Sequence, residues 1–124
     1  MILVVAGMGF IGVHVVKSLL DAGEDLVVTY NHSWRVPEFW QDEVGKRVQV
    51  EKLDVTNPHE TTALATKHKV DGIVFLAAPG FGASSPSQDY AVNMGGLYNA
   101  LEAARVAEVR RFTYVGSSTV YNGL

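Results

Sequence analysis

Gly7, Gly9 and Gly12 in the stretch GMGFIG are spaced as G-x-G-x-x-G. Residues without side chains let a backbone turn sharply and approach a pyrophosphate, whose charge then meets the unpaired N–H groups of a following helix. The third glycine lets that helix pack closely on the preceding strand. The pattern carries meaning only between a strand and a helix. A second stretch with chemical content is SSTVYNG, residues 117–123, where small hydroxyl side chains follow an apolar run. The histidines at positions 14, 32, 59 and 68 stand at no metal-ligand spacing with a carboxylate, and cysteine is absent. No metal site, disulfide or thiolate nucleophile is therefore expected.

The elements around the glycine turn supply the context it needs. Residues 1–6 are a short apolar run rich in β-branched side chains, and after GMGFIG the residues Ile11, Val15, Val16, Leu19 and Leu20 recur at helical spacing. Residues 26–30 form a second apolar run and VQVEKLDV a third; NHSWRVPEFWQDEVGKR between them lacks a period and reads as a loop with one short helix. TNPHETTALATKHK predicts a helix capped by Thr56 or Asn57, with Pro58 at the first helical position and an end near Lys69. DGIVFLAA is a fourth strand and PGFGASSPSQ a small-residue loop. Met94, Leu97, Leu101 and Ala104 then mark one helix face opposite Glu102, Arg105 and Glu108, and RRFTYVGSS is a fifth strand.

Strands alternating with helices require crossovers between parallel strands. The expected fold is α/β, a Rossmann-like doubly wound parallel sheet of about five strands with helices on both faces, incomplete at its C-terminal end. One domain is expected over residues 1–124, without repeat or linker. With 48% hydrophobic and 19% charged residues the chain can bury a core. Its net charge of -3, with Lys and Arg dispersed, leaves no basic footprint for nucleic acid or an anionic membrane. The opening MILVVAG is too short for a signal-peptide core or a membrane span and reads as a buried strand; the lack of cysteine leaves the compartment open, with cytoplasm as the default expectation.

GFIG followed by VVKSLLDAG, then LDV, FLAA, NMGG and SSTVY, in this order, resemble the extended short-chain dehydrogenase/reductase family. These are NAD-dependent epimerases and dehydratases acting mostly on nucleotide sugars. The family's turn reads T-G-x-x-G-x-x-G; here Val5 and Ala6 stand at the first two positions, and Gly9 and Gly12 match the later ones. A methyl group at Ala6 narrows the turn if that position needs positive φ, which only glycine adopts cheaply. The resemblance implies an NAD or NADP cofactor held by Gly7, Gly9, Phe10, Ile11 and Gly12. It also implies Asp54 at the adenine amino group beside the Val55 backbone, Leu76, Ala77 and Ala78 along the nicotinamide ribose and diphosphate, and Asn93 near the active site. Asp54 as a helix cap and Asn93 as a partner for backbone groups are the alternatives. Phe75 replaces the family's common His, and Leu97 its usual Thr.

In such folds a carboxylate after the second strand accepts hydrogen bonds from the adenosine ribose, whereas a nearby Arg favours a 2′-phosphate. Here Asn31 occupies or adjoins that position, with His32 and Arg35 close by in sequence. Asn31 as a turn residue and Arg35 as a solvated charge are an equal alternative, so NAD and NADP both stay open.

SSTVYNG resembles the family's S-S-x-x-V-Y-G. Anchored on Val120 and Tyr121, the match implies that Ser117 is the catalytic hydroxyl that hydrogen-bonds the substrate oxygen and that Thr119 faces the sugar. The family's acid/base tyrosine lies in Y-x-x-x-K, a pattern this sequence lacks: Trp34, Met94, Glu102 and Ser118 follow the tyrosines by four. A general acid/base step worth about a hundredfold to ten-thousandfold then has no carrier. The resemblance implies the cofactor-binding portion of a nucleotide-sugar epimerase/dehydratase-like oxidoreductase, catalytically incomplete as this chain. Its complete enzyme would take a nucleotide-sugar-like small molecule. A non-enzymatic dinucleotide-binding or sensing module is the alternative, and a Rossmann-like domain for another adenosyl ligand a weaker third. The family's dimer often places the helix after Asn93 in a four-helix bundle, so a homo-oligomer is a further expectation, set against packing of that face on its own sheet.

Overall fold

The computed structural model describes residues 1–80 and 84–123. Strands β1 (Ile2–Val5), β2 (Leu26–Tyr30), β3 (Val48–Lys52), β4 (Gly72–Phe75) and β5 (Arg111–Tyr114) form one sheet in the order β3-β2-β1-β4-β5. Every pairing is parallel. Helix α1 (Gly12–Asp21) covers one face; α2 (Glu60–Lys67) and α4 (Leu97–Val106) cover the other. This is the Rossmann-like architecture expected from the sequence. The order of winding reverses beside β1, and at such a switch point a crevice opens over the C-terminal strand ends.

Burial on both faces explains why ILVV and LVV read as unbroken apolar runs rather than alternating ones. Leu3, Val5, Val27, Ile73 and Phe75 point to the α2/α4 side, against Ala65, Ala100 and Ala103. Val4, Leu26, Val28 and Val48 point to the α1 side, against Val13, Val16 and Leu20. The buried Phe75 packs in the first of these cores, as its apolar character suggested.

Between β2 and β3 the only helix is a 3₁₀ turn, Gln41–Glu43. The α1-side core is completed there by Trp40, 2% exposed, whose indole Nε1 donates to the Val13 carbonyl at 3.1 Å.

Strands β3, β4 and β5 end earlier than expected, and the helices differ in where they begin and which face they bury. Helix α2 begins at Glu60, not Pro58, because the residues before it satisfy one another in a turn. Asn57 accepts from the His59 N–H at 3.0 Å and donates to Glu60, whose carboxylate also accepts the Asp54 N–H at 2.8 Å. Helix α3 (Pro86–Tyr90) starts inside the stretch read as loop, because Ser85 and Gln88 form a reciprocal capping box with proline at the first turn. It continues through a π-turn, Ala91–Gly96, into α4. The widened turn shifts the phase of every residue beyond it. Gly96, Ala100 and Ala103 form the buried line; of the expected face, Leu97 and Ala104 are half-buried against the same core, while Met94 and Leu101 are exposed. Residues 81–83 of the small-residue loop, and Leu124, lie outside the described residues. Among the described residues no helix is long and apolar enough to cross a membrane.

Candidate functional site

The turn from β1 to α1 starts at Ala6, whose φ of 61° is left-handed. Its N–H donates to Thr29 Oγ1 at 3.0 Å, and its carbonyl accepts the Gly9 N–H at 3.1 Å. Thr29 is buried within β2 and clamps the turn from the neighbouring strand. A side chain in the left-handed region costs about 1–2 kcal/mol, partly offset in glycine by its greater unfolded freedom. Ala6→Gly is therefore expected to stabilise the fold by about 0.5–1 kcal/mol, read as a rise of about 2–4 °C in Tm. An unchanged or lower Tm would contradict a strained Ala6.

The three glycines have separate roles. A Cβ at Gly12 would lie 2.5 Å from the Ala6 carbonyl oxygen and 2.7 Å from the Gly7 backbone; one at Gly7 would lie 2.6 Å from Val28 Cγ1. The protein's own packing demands both. At Gly9 the nearest atom to an added Cβ is the Ala6 oxygen at 3.4 Å, an ordinary contact, and the residue is exposed. Its missing side chain leaves room for a group outside the protein. Helix α1 has no capping side chain and no acidic residue in its first turn. The N–H groups of Phe10, Ile11 and Gly12 donate to no acceptor among the described residues. That helix end keeps its full attraction for an anion. The side chains of Phe10 and Ile11 are exposed, and Phe10 stands edge-on to His14, which stacks on Phe39.

A cleft of about 570 Å³ opens over the C-terminal strand ends. Ala6, Asn31, His32, Asp54, Val55, Ala77 and Ala78 line it, and so do Gln88, Ala91 and Val92 from the helical side. Leu76 does not line it; its N–H donates to the Val5 carbonyl and its side chain packs on the α1-side core. Asn93, exposed in the π-turn, and Arg35 also stand outside the lining, as do Gly7, Gly9, Phe10, Ile11 and Gly12, the turn reaching it only through Ala6. Asp54 Oδ1 accepts from the Thr56 hydroxyl at 2.7 Å and the Thr56 N–H at 3.0 Å. These bonds, the hydroxyl's first, hold its carboxyl below the usual carboxylate value, with a smaller contribution from the charge of His32. Asp54 therefore presents an ionised acceptor at the cleft.

Asn99 escaped the sequence reading. Its Nδ2 donates to the Val55 carbonyl at 2.8 Å, and the helix is pressed onto Val55 so closely that a Cβ at Gly96 would lie 2.8 Å from Val55 Cγ2. The available signal was an asparagine inside a helix, a position its side chain disfavours without a specific partner. Asn99→Ala is expected to cost about 1–3 kcal/mol by leaving that carbonyl unpaired. Urea denaturation measures this, and a cost below about 0.5 kcal/mol would contradict it.

Ser117 Oγ and Thr119 Oγ1 are 2.8 Å apart, and Ser117 caps the 3₁₀ turn Ser118–Tyr121 by accepting the Thr119 N–H. The structure thus brings the two expected substrate-facing hydroxyls together. Both are exposed and stand outside the lining of the cleft. Among the described residues no group of three His, Asp or Glu side chains is arranged to hold a metal ion.

The sequence pattern of the NAD dependent epimerase/dehydratase family matches residues 2–123. The chain belongs to this family. A UDP-glucose 4-epimerase of Drosophila melanogaster is 33% identical over 132 aligned residues, covering 97% of this chain and 38% of that protein. The chain thus spans well under half the length of this epimerase/dehydratase relative. Among solved structures, a Stenotrophomonas maltophila UDP-glucose 4-epimerase with bound NAD and formylated UDP-arabinopyranose is 25% identical, with a TM-score of 0.81 over 97% of this chain and 38% of its own. A Thermus thermophilus UDP-glucose 4-epimerase in complex with NAD is 27% identical, with a TM-score of 0.74 over 90% and 35% of the two chains.

Proposed function

We propose that this chain binds a nicotinamide dinucleotide over its C-terminal strand ends, as the cofactor-binding part of a nucleotide-sugar epimerase or dehydratase. The observation that carries the reading is the glycine turn. Gly7 and Gly12 are filled by the protein's own packing, whereas Gly9 is exposed and the N–H groups of Phe10, Ile11 and Gly12 have no protein acceptor among the described residues, which suits a pyrophosphate. The cleft beside them carries Asp54 as acceptor for an adenine amino group, with Ala77 and Ala78 as small residues against a ribose. The NAD complexes of the similar epimerases support the same cofactor class.

When bound, the nicotinamide supplies the hydride acceptor and donor. The chain's own residues hold the dinucleotide, and the Ser117 hydroxyl donates a hydrogen bond to a substrate oxygen, with Thr119 beside it at 2.8 Å. No Y-x-x-x-K occurs in these 124 residues to transfer the proton, so the chain by itself is proposed to be inactive. A cytoplasmic location belongs to the same proposal, on the acidic, cysteine-free composition. The missing Y-x-x-x-K equally favours a second reading, a dinucleotide-sensing module without catalysis. The intact mass of the natural gene product separates the two: a product ending at Leu124 favours the module, and a longer one the enzyme.

Titration with NADH, followed by nicotinamide fluorescence excited through the two tryptophans, tests the shared core of both readings. Saturable one-to-one binding is expected. A folded chain that binds no dinucleotide would overturn both.

A further inference from the structure

We infer that the adenosine end of the cleft accommodates a 2′-phosphate, so that the chain binds NADP(H) at least as tightly as NAD(H). This rests on the dinucleotide reading above and assigns its specificity. Discrimination against a 2′-phosphate comes from a carboxylate after the second strand, which bonds the ribose hydroxyl and repels the phosphate. Residues 30–35 contain no acidic side chain. Tyr30, the last residue of β2, turns its ring toward the α1-side core and meets Trp34 edge-on at 5.0 Å. Asn31 and His32 follow it into the cleft wall, offering an amide and an imidazole in place of a charge that would exclude phosphate.

Two cations lie near this corner, and a backbone bond fixes the loop that carries the first. The Arg35 N–H donates to Met8 Sδ at 3.3 Å, and Met8 is the buried residue between Gly7 and Gly9. The loop carrying Arg35 is thereby pinned against the glycine turn. Its exposed guanidinium forms no ion pair among the described residues, so no carboxylate there competes with an incoming phosphate. Lys52 is in register with Tyr30 across the β2–β3 pairing, which places a second cation at the same end of the sheet. The opposing charge is Asp54, the single acidic residue lining the cleft among the described residues, and its Oδ1 is engaged by Thr56.

Parallel titrations with NADH and NADPH, each at two salt concentrations, test the inference. NADPH is expected to bind with equal or lower Kd, and its affinity to fall more steeply with salt because of the added phosphate charge. Arg35→Glu is expected to weaken NADPH about tenfold more than NADH, and Asn31→Asp to shift preference toward NADH, with circular dichroism confirming that both variants fold. NADH binding with NADPH weaker by about tenfold or more would overturn this inference and leave the proposed function standing. Equal losses of both ligands in Arg35→Glu would overturn the role of Arg35. Failure of the folded chain to bind either dinucleotide would overturn the inference together with the reading it rests on.

Discussion

Gly12→Ala is expected to destabilise the fold by about 3 kcal/mol or more and to abolish dinucleotide binding. The added methyl would lie 2.5 Å from the Ala6 carbonyl oxygen and 2.7 Å from the Gly7 carbonyl carbon and Cα. All of these are backbone atoms, so no rotamer change relieves the overlap; α1 must move away from β1, or the turn must unwind. Either movement disturbs the left-handed Ala6, its bond to Thr29 and the N–H groups at the start of α1. Against a total stability of about 5–15 kcal/mol, the loss is large enough to appear directly in urea denaturation. Stability within about 0.5 kcal/mol of the parent would mean that the helix does not pack on the turn as described.

Trp40→Ala is expected to cost about 3–5 kcal/mol, the range for removing a large buried aromatic. Trp40 reaches the α1-side core from a connection that has only a 3₁₀ turn. Its removal would open a cavity against α1 and β3 and would also remove the donor to the Val13 carbonyl. Trp40→Phe retains much of the volume and loses the N–H, so it separates the two effects; a cost of about 1–2 kcal/mol is expected there. Equal costs for both variants in thermal or urea unfolding would assign the effect to the hydrogen bond rather than to packing.

These residues also show what could be read from the sequence. The strands were legible because parallel strands buried on both faces are continuous apolar runs, and β2 was read to the residue at Leu26–Tyr30. The glycine turn was legible because close backbone approach admits few other side chains, and positive φ at Ala6 makes the departure there a real strain. Trp40 was not legible as an anchor, since a single buried side chain in a connection leaves no period. The buried line of α4 was legible only in part: Leu97 and Ala104 do pack on the core, but the closest approach is made by Gly96, Ala100 and Ala103, small residues that carry little apolar signal. Thr29 and Asn99 were missed because each acts through a single hydrogen bond to backbone, from within an apolar run and from within a helix. Ser117 and Thr119 were paired by motif order, and the structure places them in contact but apart from the cleft lining.

The most direct test of the account is Gly9→Ala, measured by NADH titration alongside thermal unfolding. The added Cβ meets only the Ala6 oxygen, at 3.4 Å, so Tm is expected to stay within about 2 °C of the parent. The methyl would occupy the space left for the pyrophosphate, so affinity is expected to fall by about tenfold or more. Unchanged affinity in a variant of unchanged stability would contradict a dinucleotide site built on this turn.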